Sequence, residues 1–134
     1  MPIAIVATMR FAAATWFLSR AFILAAFAFA APHGIVAALG NWDGGWYGSI
    51  VRSGYEYAPD AAAHNVAFFP GFPLLASALY HAGVGWPLAG AVVNNVAFLL
   101  SLFVLYSLVV RRFDALTARW CVVVMCTLPL SLFC

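Results

Sequence analysis

The chain has 134 residues, of which 66% are hydrophobic and 7% charged, and its mean hydropathy is +1.02. A soluble globular domain carries about 25% charged residues, so this composition excludes a soluble enzyme, a nucleic-acid-binding protein and a disordered linker. Six basic residues against four acids leave a formal charge of +2, which is too small for a polybasic binding surface. The composition therefore predicts an integral membrane protein or a part of one.

The spacing of the charged residues predicts where the chain crosses the membrane. A crossing helix needs about 20 apolar residues, and charge-free runs of sufficient length predict spans at about 21–40 and 87–110. Residues 66–82 form a shorter apolar stretch with Pro70 and Pro73 near its start. That composition favours an interfacial or re-entrant segment over an independent span.

A third apolar run, residues 120–134, is too short to cross a bilayer. It predicts a span that is cut short, so we interpret residues 1–134 as the N-terminal part of one multi-spanning domain. Clustered arginines mark the cytoplasmic side of a membrane protein, and they precede the first span and follow the second, at Arg10, Arg20, Arg111, Arg112 and Arg119. This places the loop at about 41–86 outside the cytoplasm.

The N-terminus also allows a second interpretation, a cleavable signal peptide. Arg10 and Arg20 would form its basic region, and Ala28-Phe29-Ala30 resembles a cleavage site. The apolar stretch continues past that site to Leu39, however, and Pro32 lies close to it. We therefore favour a membrane span.

The outer loop contains three of the four acids, Asp43, Glu56 and Asp60. Apolar and aromatic residues recur within it at helical spacing, at Trp46, Tyr47, Ile50, Val51, Gly54 and Tyr55. They predict an amphipathic helix along the outer leaflet. Asp43 would begin this helix, either as an N-cap, which the composition favours, or as a general base beside a lipid-borne substrate.

Three motifs follow one another in this loop: Trp42-Asp43 with Trp46-Tyr47, Ile50-Val51 with Gly54-Tyr55, and Phe68-Phe69-Pro70 with Pro73. This ordered set, placed after one span, resembles the start of the PIG-V-type mannosyltransferases, polytopic glycosyltransferases of the GT-C fold class. The resemblance covers most of residues 15–110. The chain departs from the family at Gly48, where larger apolar residues are usual, at Val51, where Ala is more frequent, and in having fewer spans.

The resemblance implies transfer of a sugar from polyprenyl-phosphate mannose to an acceptor outside the cytoplasm, with Asp43 taking the proton of the acceptor hydroxyl. A cation should meet the departing phosphate. Arg52 is the arginine of this loop, although snorkelling to lipid headgroups explains it equally well. His64 would contact the phosphate or the acceptor, although a lone loop histidine is more often an ordinary polar contact. The remaining predicted substrate contacts are Trp42, Trp46, Tyr47 and Tyr55. These aromatic residues are equally typical of anchors at the membrane interface.

The sequence thus predicts an all-α, polytopic, GT-C-like membrane glycosyltransferase with an amphipathic loop helix. We expect a fragment of this length to be inactive alone. Its partners would be the polyprenyl-phosphate sugar donor and the lipid bilayer, with an unknown acceptor and no nucleic acid. The lysine-free, alanine-rich composition favours a bacterial plasma membrane. We expect no cofactor and no metal site, since no metal-ligand spacing occurs, while a requirement for a divalent ion stays open.

Two other functions also fit parts of the sequence. The first is a non-catalytic assembly subunit that binds a partner through its aromatic loop. The second is a transporter fragment with Asn94 and Asn95 near the bilayer midplane. The absence of charged residues from 87–110 argues against ion coupling, so the transporter is the least favoured.

Overall fold

The computed structural model describes residues 2–30, 34, 36, 39–40, 43–60 and 62–128, with side chains from Met9 onward. Every regular element in these ranges is helical, which confirms the predicted all-helical class. In chain order the elements are α1 (Pro2–Ala30), α2 (Gly44–Ser53), a 3₁₀ turn (Asn65–Ala67), α3 (Gly71–His81), α4 (Leu88–Arg112) and α5 (Ala115–Thr127).

Two helices are long and apolar enough to cross a membrane, Met9–Ala30 within α1 and Leu88–Arg112, which is α4. Their length and composition suggest membrane association. Helix α4 agrees with the predicted span at 87–110, and its last turn carries Arg111 and Arg112. Positive charges there complement the negative end of the helix dipole.

The first membrane-length helix lies earlier in the chain than the predicted span at 21–40. Helix α1 contains Arg20 in its interior, where the side chain is only 8% exposed. The Arg20 guanidinium lies 5.0 Å from the ring centre of Phe98, and its Nε lies 3.5 Å from the Ser19 hydroxyl. An arginine packed over an aromatic ring is tolerated inside an apolar helix, so the charge at Arg20 does not mark the start of the span.

The chain divides into two compact units, of which the first comprises Met1–Ala30 with Asn95–Cys134. In this unit α1 packs against α5. The buried core draws on three helices and consists of Ala12, Phe98, Leu102, Tyr106, Ala118, Val122 and Cys126. Burial of such apolar side chains is the main stabilising term in folding.

Helix α5 of the first unit begins with a complete N-cap at Asp114. The Asp114 backbone is extended, and its Oδ1 accepts hydrogen bonds from the N–H groups of Leu116 at 2.8 Å and Thr117 at 2.9 Å. Its Oδ2 accepts a third from the Thr117 hydroxyl at 2.7 Å. The hydrogen bonds from the Thr117 N–H and hydroxyl hold the pKa of the Asp114 carboxyl below its ordinary value.

The second unit, Ala31–Asn94, contains α2, the 3₁₀ turn and α3. Helix α3 has 11 residues and contains Pro73 in its first turn, where a proline costs no hydrogen bond. At a rise of about 1.5 Å per residue it is too short to cross a hydrocarbon core of about 30 Å. This agrees with the prediction that 66–82 is not an independent span.

Candidate functional site

Helix α2 lies at the centre of the candidate site, and the helix predicted in this loop is confirmed. It ends at Ser53, because Gly54 has a φ of 83°, in the left-handed region that favours glycine. The predicted apolar face is used inside the protein. Ile50 and Val51 are buried, at 5% and 3% exposed, and α2 packs against α3 and the 3₁₀ turn. Side chains of the same unit therefore cover part of the predicted apolar face, while Trp46 and Tyr55 on that face remain exposed.

An aromatic cluster, comprising Tyr47, Phe68, Phe72 and Trp86, joins α2 to the chain around α3. The Tyr47 ring meets Phe68 and Phe72 edge to face, with ring centres 4.9 and 4.8 Å apart, and Phe72 meets Trp86 at 6.4 Å. Such offset pairs contribute about 0.5–1.5 kcal/mol each beyond the area they bury. Tyr47, predicted as a substrate contact, thus has a role in positioning α2.

Trp86 of this cluster approaches two glycines closely, Gly48 and Gly90. A Cβ at Gly48 would lie 2.6 Å from the Trp86 Nε1 and 3.1 Å from an Arg52 guanidinium nitrogen. A Cβ at Gly90, in the first turn of α4, would lie 2.8 Å from the same indole ring. Both distances are shorter than van der Waals contact, so neither position has room for a larger residue.

Asn65, which the sequence analysis did not single out, secures the loop after α2. The side chain is 3% exposed. Its Oδ1 accepts the Glu56 N–H at 2.8 Å, and its Nδ2 donates to the Ser49 hydroxyl at 3.2 Å and the Gly54 carbonyl at 3.1 Å. These partners lie 9 to 16 residues away. The available signal in the sequence was an asparagine beside an aromatic motif. The spacing between Asn65 and its three partners gives no signal.

The other predicted aromatic contacts are placed as follows. The Tyr55 hydroxyl donates to the Phe68 carbonyl at 2.9 Å, which ties the chain after α2 to the aromatic cluster. The Trp46 ring stacks on Phe68 at 6.1 Å and stays 38% exposed. Trp42 lies outside the described residues. Among the predicted aromatic contacts that the structure describes, Trp46 is the one that lines a cavity.

A cavity of about 390 Å³ opens beside Trp46. Its described lining combines α2 with the loop that follows, namely Gly45, Trp46, Ser49, Glu56, Ala63, His64 and Asn65. Ligand pockets occupy roughly 300–1,000 Å³, so the volume suits a small ligand. Of the predicted site residues, the structure brings Trp46 and His64 together here.

His64 has a partner of its own in this loop. The Asp60 Oδ1 accepts a hydrogen bond from the His64 Nε2 at 2.6 Å, and the Tyr57 ring lies 5.6 Å from the imidazole. The hydrogen bond from His64, with a second from the Ala62 N–H, holds the pKa of the Asp60 carboxyl below its ordinary value. His64 is thus anchored through one nitrogen and is half-buried.

Asp43 lies at the N-cap position of α2, as predicted, but its side chain makes no capping hydrogen bond. Its backbone is helical, with φ −66° and ψ −8°, and its carbonyl accepts the Tyr47 N–H at 3.1 Å. Within the described part of the chain the exposed carboxylate accepts no hydrogen bond, so the capping role that composition favoured is wrong. The carboxylate is free to interact with a ligand.

Arg52 lies at the other end of α2 from Asp43. Nine residues separate them, which corresponds to about 13 Å along the helix axis and about half a turn around it. The structure therefore does not bring these two predicted site residues together. In the described ranges the Arg52 guanidinium forms no ion pair, and it packs beside Gly48 and Trp86.

The described residues contain no group of three His, Cys, Asp or Glu side chains that could hold a metal ion. Comparison of the chain with protein-family models, with curated protein sequences and with solved structures gives no match.

Proposed function

We propose that this chain is a membrane glycosyltransferase of the GT-C class, or the N-terminal part of one. It would transfer a sugar, mannose by the resemblance, from a polyprenyl-phosphate donor to an acceptor outside the cytoplasm. The observation that carries the proposal is the Asp43 carboxylate, which is exposed and accepts no hydrogen bond within the described residues, including none from its own helix.

In the proposed reaction Asp43 acts as the general base. Its carboxylate takes the proton of the acceptor hydroxyl while that oxygen bonds to the anomeric carbon of the donor sugar. The bond from that carbon to the phosphate oxygen breaks, and the lipid phosphate leaves with the electron pair. General-base help of this kind is worth about 10²–10⁴ in rate.

The packing around α2 supports this role, because a general base must be held in place. Tyr47, one turn after Asp43, is packed between Phe68 and Phe72, and Asn65 fixes the loop at the other end of the helix. A base that is positioned in advance loses less entropy when the substrate binds. The two membrane-length helices support a membrane location, where a lipid-linked donor would be found.

The proposal is tested by Asp43→Asn in the protein as its gene encodes it, with any sequence that follows Cys134. Membranes containing wild-type or variant protein receive polyprenyl-phosphate mannose, and the transferred sugar is counted. We expect the rate to fall by about 10²–10⁴, while protein level and melting temperature stay at wild-type values because no hydrogen bond is lost. A variant that transfers at the wild-type rate would overturn the base assignment.

The assembly-subunit alternative has less support from the packing. It assigned partner binding to Trp46 and Tyr47, but the Tyr47 ring is engaged with Phe68 and Phe72 inside the second unit. Under that alternative Asp43→Asn would leave function unchanged, and replacement of Trp46 would abolish association with the partner.

A further inference from the structure

The cavity beside Trp46 contains a carboxylate that the proposed reaction does not use. Glu56 lines the cavity, and its backbone is fixed by the hydrogen bond from its N–H to the buried Asn65 Oδ1 at 2.8 Å. In the part of the chain that the structure describes, the Glu56 carboxylate accepts no hydrogen bond. Two carboxylate oxygens offer about four acceptor positions, so this exposed group is available to a ligand that donates hydrogen bonds.

Some of the other polar groups of the cavity already form hydrogen bonds within the protein, and some have an atom left for a ligand. Asn65 uses both of its N–H donors within the protein, and the Ser49 hydroxyl donates to the Trp46 carbonyl at 2.8 Å. His64 is bonded to Asp60 through Nε2. When the neutral ring donates its Nε2 proton, its Nδ1 becomes an acceptor. The Glu56 carboxylate, which accepts hydrogen bonds, and the His64 Nδ1 are thus the groups left to bind a ligand.

Trp46 adds an apolar surface to these acceptors. Its indole is 38% exposed while it stacks on Phe68 with an angle of 25° between the rings. The stacking holds the ring in place, so little side-chain entropy is lost on binding. The face of an aromatic ring is electron-rich and attracts C–H groups that carry partial positive charge.

The charge of the cavity excludes an anionic ligand. Its described lining contains Glu56 but no arginine, and Asp60 adds a second carboxylate behind His64. A phosphate would meet like charges that are not balanced by a cation. Arg52 packs against Gly48, beside the Trp86 ring, and does not line the cavity. The ligand is therefore not an anion, and a neutral sugar, with hydroxyl donors and a C–H face, meets these requirements.

We propose that this cavity binds the sugar acceptor, a neutral saccharide ring whose C–H face lies on Trp46 and whose hydroxyls donate to Glu56. The inference rests on the proposed function, since it assigns the acceptor to the same loop as the base. The cavity begins at Gly45, two residues after Asp43, so an acceptor bound there lies within about one helical turn of the proposed base. His64 accordingly contacts the acceptor and not the donor phosphate.

The test measures binding without measuring transfer. The protein in lipid nanodiscs is mixed with methyl α-mannopyranoside, and saturation-transfer NMR reports the bound sugar; inorganic phosphate is the second probe. We expect wild-type protein to bind the glycoside. Affinity should fall about tenfold in Glu56→Gln, the size expected for losing hydrogen bonds to a charged acceptor. This change leaves the backbone bond to Asn65 in place, and Trp46→Leu should reduce affinity in the same way.

Two variants serve as controls. Trp120→Leu replaces another exposed tryptophan, on α5, and should bind the glycoside as wild type does. Asp114→Asn should also bind normally, since it makes a carboxylate-to-amide change at a residue that does not line the cavity. Unchanged binding in Glu56→Gln, no glycoside signal in the wild type, or binding of phosphate in place of the glycoside would each overturn the inference.

The outcomes separate this inference from the proposed function. Loss of transfer in Asp43→Asn with full glycoside binding in Glu56→Gln would leave the transferase proposal standing and remove the acceptor site. Reduced binding in Glu56→Gln with normal transfer by Asp43→Asn would leave the acceptor site standing and remove the assignment of Asp43 as the base.

Discussion

Asp43 and Asp114 each lie immediately before a helix, α2 in one unit and α5 in the other, yet only Asp114 caps its helix. Asp114 has an extended backbone, with φ −141° and ψ 171°, whereas Asp43 is already helical. An N-cap side chain reaches the first N–H groups only from a non-helical backbone. Backbone conformation at one residue thus decides whether the carboxylate stabilises its own helix or stays available to a ligand.

The largest effect expected from this comparison is on sugar transfer. Asp43→Asn should lower the transfer rate by about 10²–10⁴, because the amide cannot accept the proton of the acceptor. Asp114→Asn is the matched control, since it makes the same chemical change at the start of another helix. Both variants are assayed in one membrane preparation with polyprenyl-phosphate mannose. Equal rates for the two variants would mean that Asp43 has no special part in the reaction.

The next largest effect concerns Asn65, whose side-chain amide holds the end of α2. Asn65→Ala removes three hydrogen bonds made by a side chain that is only 3% exposed, so we expect about 3 kcal/mol of destabilisation. Asn94→Ala is the control, because Asn94 is half-buried and forms no hydrogen bond within the described residues. Chemical denaturation in detergent micelles measures both. A loss in Asn65→Ala no larger than that in Asn94→Ala would contradict the structural role.

A smaller loss is expected where Trp86 approaches α2. Gly48→Ala places a methyl group 2.6 Å from the Trp86 Nε1, and over-packing of this kind costs about 2 kcal/mol. Gly45→Ala in the same helix is the control, since its Cβ would meet nothing within 4 Å. Alanine favours a helix more than glycine does, so the control should be neutral or slightly stabilising. Thermal melts would contradict the packing if the two substitutions had the same effect.

The smallest expected effect is the pH dependence of the Asp114 cap. Hydrogen bonds lower the pKa of Asp114 in the folded state, so its stabilisation is complete above the unfolded value of 3.8 and is lost as the pH falls through the lower folded value. Melting temperatures of the wild type should therefore fall towards about pH 3 more steeply than those of Asp114→Asn. Parallel curves for the two proteins would show that the cap contributes no stability.

Much of the fold could be predicted from the sequence because hydropathy and helical periodicity are local. The apolar run at 87–110 corresponds to α4, and the spacing of Trp46, Ile50 and Val51 corresponds to α2. The start of the first span was not predicted, because a count of charges treats Arg20 as a boundary. The structure buries that side chain over Phe98, which lies on a helix far along the chain.

The candidate site could be predicted only in part. The position of Asp43 at a helix start followed from the order of the motifs, but its backbone conformation did not. Asn65 was missed because its importance lies in partners up to 16 residues away, which no local pattern indicates. The same holds for Glu56, whose acidic side chain looks like a solvated loop residue until the cavity is seen.

The sequence by itself determined that the protein is apolar, helical and suited to a membrane, and that its few charges are segregated. These properties depend on sums over neighbouring residues. Only the tertiary structure decided that Ile50 and Val51 of α2 are buried, and that Gly48 makes room for Trp86. It also decided that, within the described residues, the Asp114 carboxylate accepts hydrogen bonds while that of Asp43 accepts none. Those outcomes depend on which surfaces meet and on single backbone angles, since hydrogen bonds and close contacts act over only a few ångströms.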